Sequence, residues 1–163
     1  MSVAEHIKKS LQTPTMVVQA YIGDLTDEQL MLRAADGINH IAWQLGHLIS
    51  SEHQLINAVC PDSMPALPEG FAEKHGKETA DSDDASAFCS KAEYMKLMEE
   101  QRAGTLATLE KLSDDDLAKP APEAMHRIAE TVGAMFAMQG THWMMHAGQW
   151  VIVRRQLGKP AMF

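Results

Sequence analysis

Apolar residues recur every three or four positions along four stretches of this chain, and strand-like alternation is absent, so it must bury helical stripes against one another. The first stretch carries Ile7 and Leu11, then Val17, Ala20 and Tyr21, and closes at Gly23-Asp24. Thr13-Pro14 reads as an N-cap followed by proline at a first helical position, which predicts a helix bent or broken at Pro14. Leu25 to Leu30 reads as a helical turn capped by Thr26. After Asp36-Gly37, the residues Ile38, Ile41, Leu45, Leu48, Ile49, Leu55, Ile56 and Val59 hold one stripe until Pro61. A third stripe, from Ser90 to Leu112, runs through Tyr94, Leu97, Met98, Leu106 and Leu109. The fourth, from Glu123 to about Leu157, carries Ile128, Val132, Met135, Phe136, Trp143, Trp150 and Val153 before Gly158 and Pro160 stop it. Glycines at 133, 140 and 148 predict a bend within it.

Residues 61–88 break the pattern with prolines, glycines and the acidic cluster Asp81, Asp83 and Asp84. A connection of that length is unusual inside a compact fold unless it crosses a bundle or covers a site. The expectation is an all-α four-helix bundle with a long crossover between helices two and three, serving as a crossover or lid. A chain of 163 residues fits one domain over 1–163, enough to bury roughly two-thirds of its unfolded surface.

With 45% hydrophobic and 22% charged residues, the composition is that of an ordinary globule. A formal net charge of -8 argues against nucleic acid and anionic membrane as partners, because both need concentrated basic surface. The start Met1-Ser2-Val3-Ala4-Glu5-His6 has no basic segment leading into an apolar run, and no stretch has the length of a membrane span, so a cytoplasmic location is expected. Cys60 and Cys89 form no CxxC and are expected as reduced thiols. Asp114, Asp115 and Asp116, like the earlier acidic cluster, lack EF-hand spacing and read as solvated loop or helix cap. The 12 methionines read as plastic core filler, and Trp43, Trp143 and Trp150 as core or pocket walls.

Chemistry is concentrated in histidine. His142 and His146, four residues apart, fall on one helix face one turn apart, within reach of one ion. Spacing alone is weak evidence, since paired helix histidines bonded to backbone or water are common. Placement beside the apolar stripe adds support, because desolvation keeps imidazole neutral, the state a metal requires. His47 projects about 140° from the centre of its own stripe at 100° per residue, so periodicity puts it on a flank shared with His40 and Trp43. No Gly-rich phosphate loop, GxSxG elbow or HExxH is present.

Two segments carry a family likeness. Asn39-His40-Ile41-Ala42-Trp43-Gln44-Leu45-Gly46-His47-Leu48 with Glu52, and His142-Trp143-Met144-Met145-His146-Ala147-Gly148-Gln149 through Leu157-Gly158-Lys159-Pro160, resemble the two signatures of the DinB/YfiT-like superfamily in content and order. That resemblance implies a four-helix bundle, often dimeric, in which a histidine of the second helix joins the HxxxH pair of the last at a divalent metal. The implied ligands are His47, His142 and His146. The implied cofactor is a divalent ion, zinc or nickel first, although histidine also suits cobalt and iron. Three nitrogens leave a tetrahedral ion one open position, as in catalytic zinc sites, where a water or thiol becomes acidic.

Characterised relatives include thiol-dependent transferases and isomerases that use low-molecular-weight thiols, so the resemblance implies a metal-activated thiol transferase, with a related hydrolase behind it. Gln149 and His40 are candidate supporting or substrate contacts. The competing reading is a non-catalytic metal-binding stress-response or dimerisation protein. A cleft leading to the open coordination position separates the two, since a structural site is closed.

Overall fold

The computed structural model describes residues 1–162, and among these the regular structure is entirely helical. Helix α1, Val3–Gly23, begins earlier than Thr13 because Ser2 and Glu5 form a capping box, the Ser2 hydroxyl accepting from the Glu5 N–H and the Glu5 carboxylate from the Ser2 N–H. Pro14 therefore lies inside one continuous helix instead of opening a second one. It is buried against α7, where a Cβ on Gly140 would stand 3.2 Å from the Pro14 ring and 3.3 Å from Leu11. Close packing at the missing side chain compensates the hydrogen bond that proline removes.

Helix α2, Asp27–Leu30, is a single turn capped by Thr26, as its sequence indicates. Helix α3, Ile41–Val59, starts at an N-cap supplied by His40, so Ile38 precedes the helix. The connection after it holds α4, Phe71–Lys74, and short 3-10 turns at Lys77–Thr79 and Ala85–Ala87. Helix α5, Lys91–Leu109, opens on a Ser90/Glu93 capping box, and α6, Asp114–Ala118, on a Ser113/Asp116 one. The second acidic run is thus a helix start, where carboxylates meet unpaired N–H groups. In the first, Asp83 pairs with Arg33 and Asp84 caps the turn at Ser86. Helix α7, Val132–Gln156, begins at Thr131, well after Glu123. Residues before it form a 3-10 turn and an isolated bridge from Pro120 to Thr131, so Ile128 is exposed and contributes nothing to a helical stripe.

Residue pairs set the directions of the four long helices. Arg154 donates to the Tyr21 carbonyl while Gly140 abuts Pro14, so α1 and α7 run the same way. Gln44 meets Trp150 and Glu52 meets Trp143, so α3 opposes α7. Tyr94 reaches the His75 ring beside Gly46, and Arg102 and Thr105 reach Glu52, so α3 and α5 are parallel. Two consecutive parallel helices oblige the chain between them to travel back along the bundle, and residues 60–90 do so.

The core has two parts. A larger cluster gathers Tyr21, Ile22, Leu45, Leu48, Tyr94 and Trp150, and a smaller one holds Ile7, Leu11, Ile56, Leu109 and Phe136. Both cysteines are free thiols. No helix among the described residues is long and apolar enough to cross a membrane.

Candidate metal centre

The antiparallel contact of α3 with α7 brings His47 to the HxxxH pair. Ring centroids lie 5.4 Å apart for His47 and His142, 5.5 Å for His47 and His146, and 5.2 Å for His142 and His146. One ring nitrogen from each, an atom that could ligate, falls within 4.8 Å of the other two. Ligands at about 2.0–2.1 Å around a tetrahedral ion are closer together than that, a difference small enough for the rings to take up on closing around one.

Helical projection put His47 on a flank because it assumed one buried face. On α3 nearly every residue from Ile41 to Ser50 is buried, since α5 and α7 cover two sides and the crossover covers another. The crossover's hold is visible at Gly46, where a Cβ would come within 2.1 Å of the His75 ring. His47 is the half-buried exception in that run, at the edge facing α7. Trp43, one turn before it, stacks on its ring at 5.1 Å and 8°. The Trp43 indole N–H donates to the Gly76 carbonyl at 3.0 Å, so the crossover steadies the wall that orients His47.

Gln44 determines which nitrogen His146 offers. An indole N–H only donates, and Trp150 Nε1 lies 2.8 Å from one end of the Gln44 amide, so that end is the oxygen. The same oxygen is 2.9 Å from His146 Nδ1, which must carry the proton and donate. His146 Nε2 is left with its lone pair free, the arrangement by which supporting groups fix a ligating imidazole. The Gln44 amide hydrogens go to the Asn39 carbonyl and, at 3.0 Å, to Gln149 Oε1. Gln44 is 2% exposed and its bonding capacity is filled.

Burial lowers all three imidazole pKa values. His142 and His146 fall to about 4, with the neighbouring imidazoles pushing the same way, and His47 is lowered by burial. The rings are neutral at pH 7 and ready to donate lone pairs. His142 Nδ1 is buried without a hydrogen-bond partner among the described residues. A neutral donor set with an orphaned buried nitrogen fits a divalent cation.

The structure distributes the other candidates differently. Gln149 stands at the centre's edge through Gln44. His40, read from sequence as lying on the His47 face, is instead the N-cap of α3. Its Nδ1 accepts from the Trp43 N–H at 3.0 Å, its Nε2 donates to the Ser82 carbonyl at 3.1 Å, and the ring is fully buried. With both nitrogens engaged it holds α3 to the crossover and has nothing left for a ligand. Gln44 and Glu52 are the residues to which sequence reasoning assigned no role. The available signal was two polar groups within an apolar helix, which survive burial only when bonded.

Beside His146 a cleft of about 140 Å³ opens, lined by Gly37, Ile38, Asn39, Gln44, His146 and Gln149. The long connection, expected as a crossover or lid, contributes none of this lining. It packs on α3 at His40, Trp43 and Gly46. A family model described as the DinB superfamily matches residues 11–150, a span that includes His47, His142 and His146. No curated protein and no solved structure matches the chain.

Proposed function

Since the chain belongs to the DinB superfamily, we propose that it is a divalent-metal-dependent enzyme in which His47, His142 and His146 hold the ion, zinc or nickel first, and that it acts as a thiol transferase or related hydrolase. The observation that carries this reading is the convergence of three neutral imidazoles from two helices within 4.8 Å, beside an open cleft. When bound, the ion supplies Lewis acidity at an open coordination position, where a low-molecular-weight thiol or a water becomes a nucleophile at neutral pH.

The chain's own residues prepare that position. Gln44 holds His146 in the Nδ1-protonated tautomer, and Trp43 stacks against His47. Both anchors are buried, so the ligands are set by packing before any ion arrives. The cleft touches the centre through His146, the one of the three histidines on its lining, and an opening at that edge supports an enzyme over a closed structural site. Elemental analysis of purified protein with His47→Ala and His146→Ala is the test, followed by conjugation of a small thiol to an electrophile. Metal bound by the parent and lost from both folded variants supports the centre; equal metal content in all three removes it.

A second reading, a dimerisation module, is favoured by the outer face of α7. Met144, Met145 and Ile152 are exposed there, Met145 at 60%, and no charged residue occurs from Val132 to Val153. In a chain of net charge -8, that uncharged face is where a second copy meets least repulsion. The two readings are compatible. Sedimentation of the parent against Met145→Glu tests the second, a dimer converted to monomer supporting the interface and an unchanged mass refuting it.

A further inference from the structure

The chain of amides that orients His146 continues outward to the cleft. Trp150 fixes the oxygen of Gln44, so the Gln44 amide hydrogens must point away from it, and one of them donates to Gln149 Oε1 at 3.0 Å. Gln149 is therefore oriented too, and its NH₂ group, which has no hydrogen-bond partner among the described residues, is the end left to face the cleft it lines. The Asn39 side-chain amide, also on the lining, is equally without a partner there. Both residues are half-buried.

The lining contains no Asp, Glu, Lys or Arg. A carboxylate placed there would find its only countercharge in the ion at the histidines and none in the cleft's own side chains, whereas a neutral carbonyl oxygen needs only the donor. The volume of about 140 Å³ is below the roughly 300–1,000 Å³ of pockets that enclose a whole small molecule, so the cleft reads one functional group and leaves the rest of the ligand outside.

We propose that this cleft is the substrate subsite, and that Gln149, aligned by Gln44, donates a hydrogen bond to an uncharged carbonyl oxygen of the amide or ester class on a molecule whose reacting atom lies at the three histidines. The inference rests on the metal reading above. Selectivity comes from a pre-aimed donor, since an analogue lacking the carbonyl leaves a half-buried NH₂ unpaired.

Binding to the full-length, cobalt-loaded protein tests it, with sulfur-to-cobalt charge-transfer absorption reporting ligation by propanethiol, mercaptoacetamide and mercaptoacetate, each affinity referred to thiolate concentration. Mercaptoacetamide is expected to bind about five- to tenfold more tightly than propanethiol. Gln149→Leu should abolish that preference, read as the ratio of the two affinities in the cobalt-loaded variant. Equal affinity for the two ligands in the parent overturns the subsite, as does a preference for mercaptoacetate that Gln149→Leu removes, which would make the recognised group a carboxylate. If the parent takes up no cobalt, the metal reading falls and the subsite with it, an outcome distinct from thiols that bind without preference.

Discussion

Helices α3 and α7 share two buried polar clusters, and they differ in what they leave unbonded. At one, the Glu52 carboxylate accepts from Trp143 Nε1 at 2.7 Å, Thr105 Oγ1 at 2.7 Å and Arg102 Nη2 at 3.0 Å. At the other, Gln44 saturates itself on Trp150, His146, Asn39 and Gln149, but His146, which it aligns, meets two further imidazoles with nitrogens to spare. The Glu52 carboxylate uses up its acceptor capacity within the fold and so cements α3 to α5 and α7, and what is left over there is a donor, Arg102 Nη1, buried without a partner. The histidine cluster keeps lone pairs available, which the fold itself gains nothing from. The two clusters therefore divide into cement and site by whether they leave acceptor lone pairs free.

The comparison predicts its largest effect at Glu52. Glu52→Ala strips the partner from Arg102, a guanidinium only 7% exposed, and breaking such a pair costs about 3–5 kcal/mol. Urea unfolding of the metal-free protein should show this loss, while loss of a histidine ligand at the other cluster should cost much less. If Glu52→Ala and His146→Ala destabilise the metal-free protein equally, the division into cement and site is wrong. Gly46→Ala follows. A Cβ there meets His75, whose Nε2 accepts from the Tyr94 hydroxyl at 2.7 Å, and overpacking of this kind costs about 1–3 kcal/mol. Loss of near-ultraviolet circular dichroism at the Trp43 wall should accompany it.

Gln44 belongs to both categories, and its substitution sharpens the boundary. Gln44→Leu removes the acceptor that fixes the His146 tautomer, which should weaken metal binding about 10- to 100-fold. Competition with a metallochromic chelator measures it. An unchanged affinity would mean that Trp143 and Trp150 packing alone positions the α7 ligands.

Much of this architecture was legible in the chain itself. Thr26 and Ser90 mark helix starts that the structure keeps, because their hydroxyls accept from N–H groups three residues on. Local signals misled where tertiary contacts outweighed them. Pro14 reads as a start, yet Ser2 and Glu5 cap the helix earlier and Gly140 admits the proline ring. The HxxxH pair is visible because both ligands share one helix. His47 was reachable only through family likeness, since projection takes no account of a crossover burying a third side of α3. Gln44 was within the quoted motif but without a role, because its function depends on Trp150, 106 positions away.

The smallest effect separates two kinds of buried histidine. His40, His142 and His146 all have pKa values lowered by burial to about 4, yet His40 alone has both nitrogens occupied. Between pH 6.5 and about 4 the unfolded chain binds protons that the folded one refuses, so each of these rings contributes stability present above 6.5 and lost as the pH falls towards 4. His40→Asn keeps an N-cap acceptor for the Trp43 N–H but gives up the bond to Ser82 and part of the buried ring's packing, at a cost of about 1–3 kcal/mol at pH 7. It removes one titrating ring, so the acid loss of the metal-free variant should be shallower than the parent's. Saturating metal protects the three ligands from protonation and should flatten the part of the slope that belongs to them, leaving the His40 part in place. An acid slope in the parent that metal abolishes entirely would assign His40 to the centre after all, and a slope that metal leaves untouched would mean the histidine cluster binds no ion.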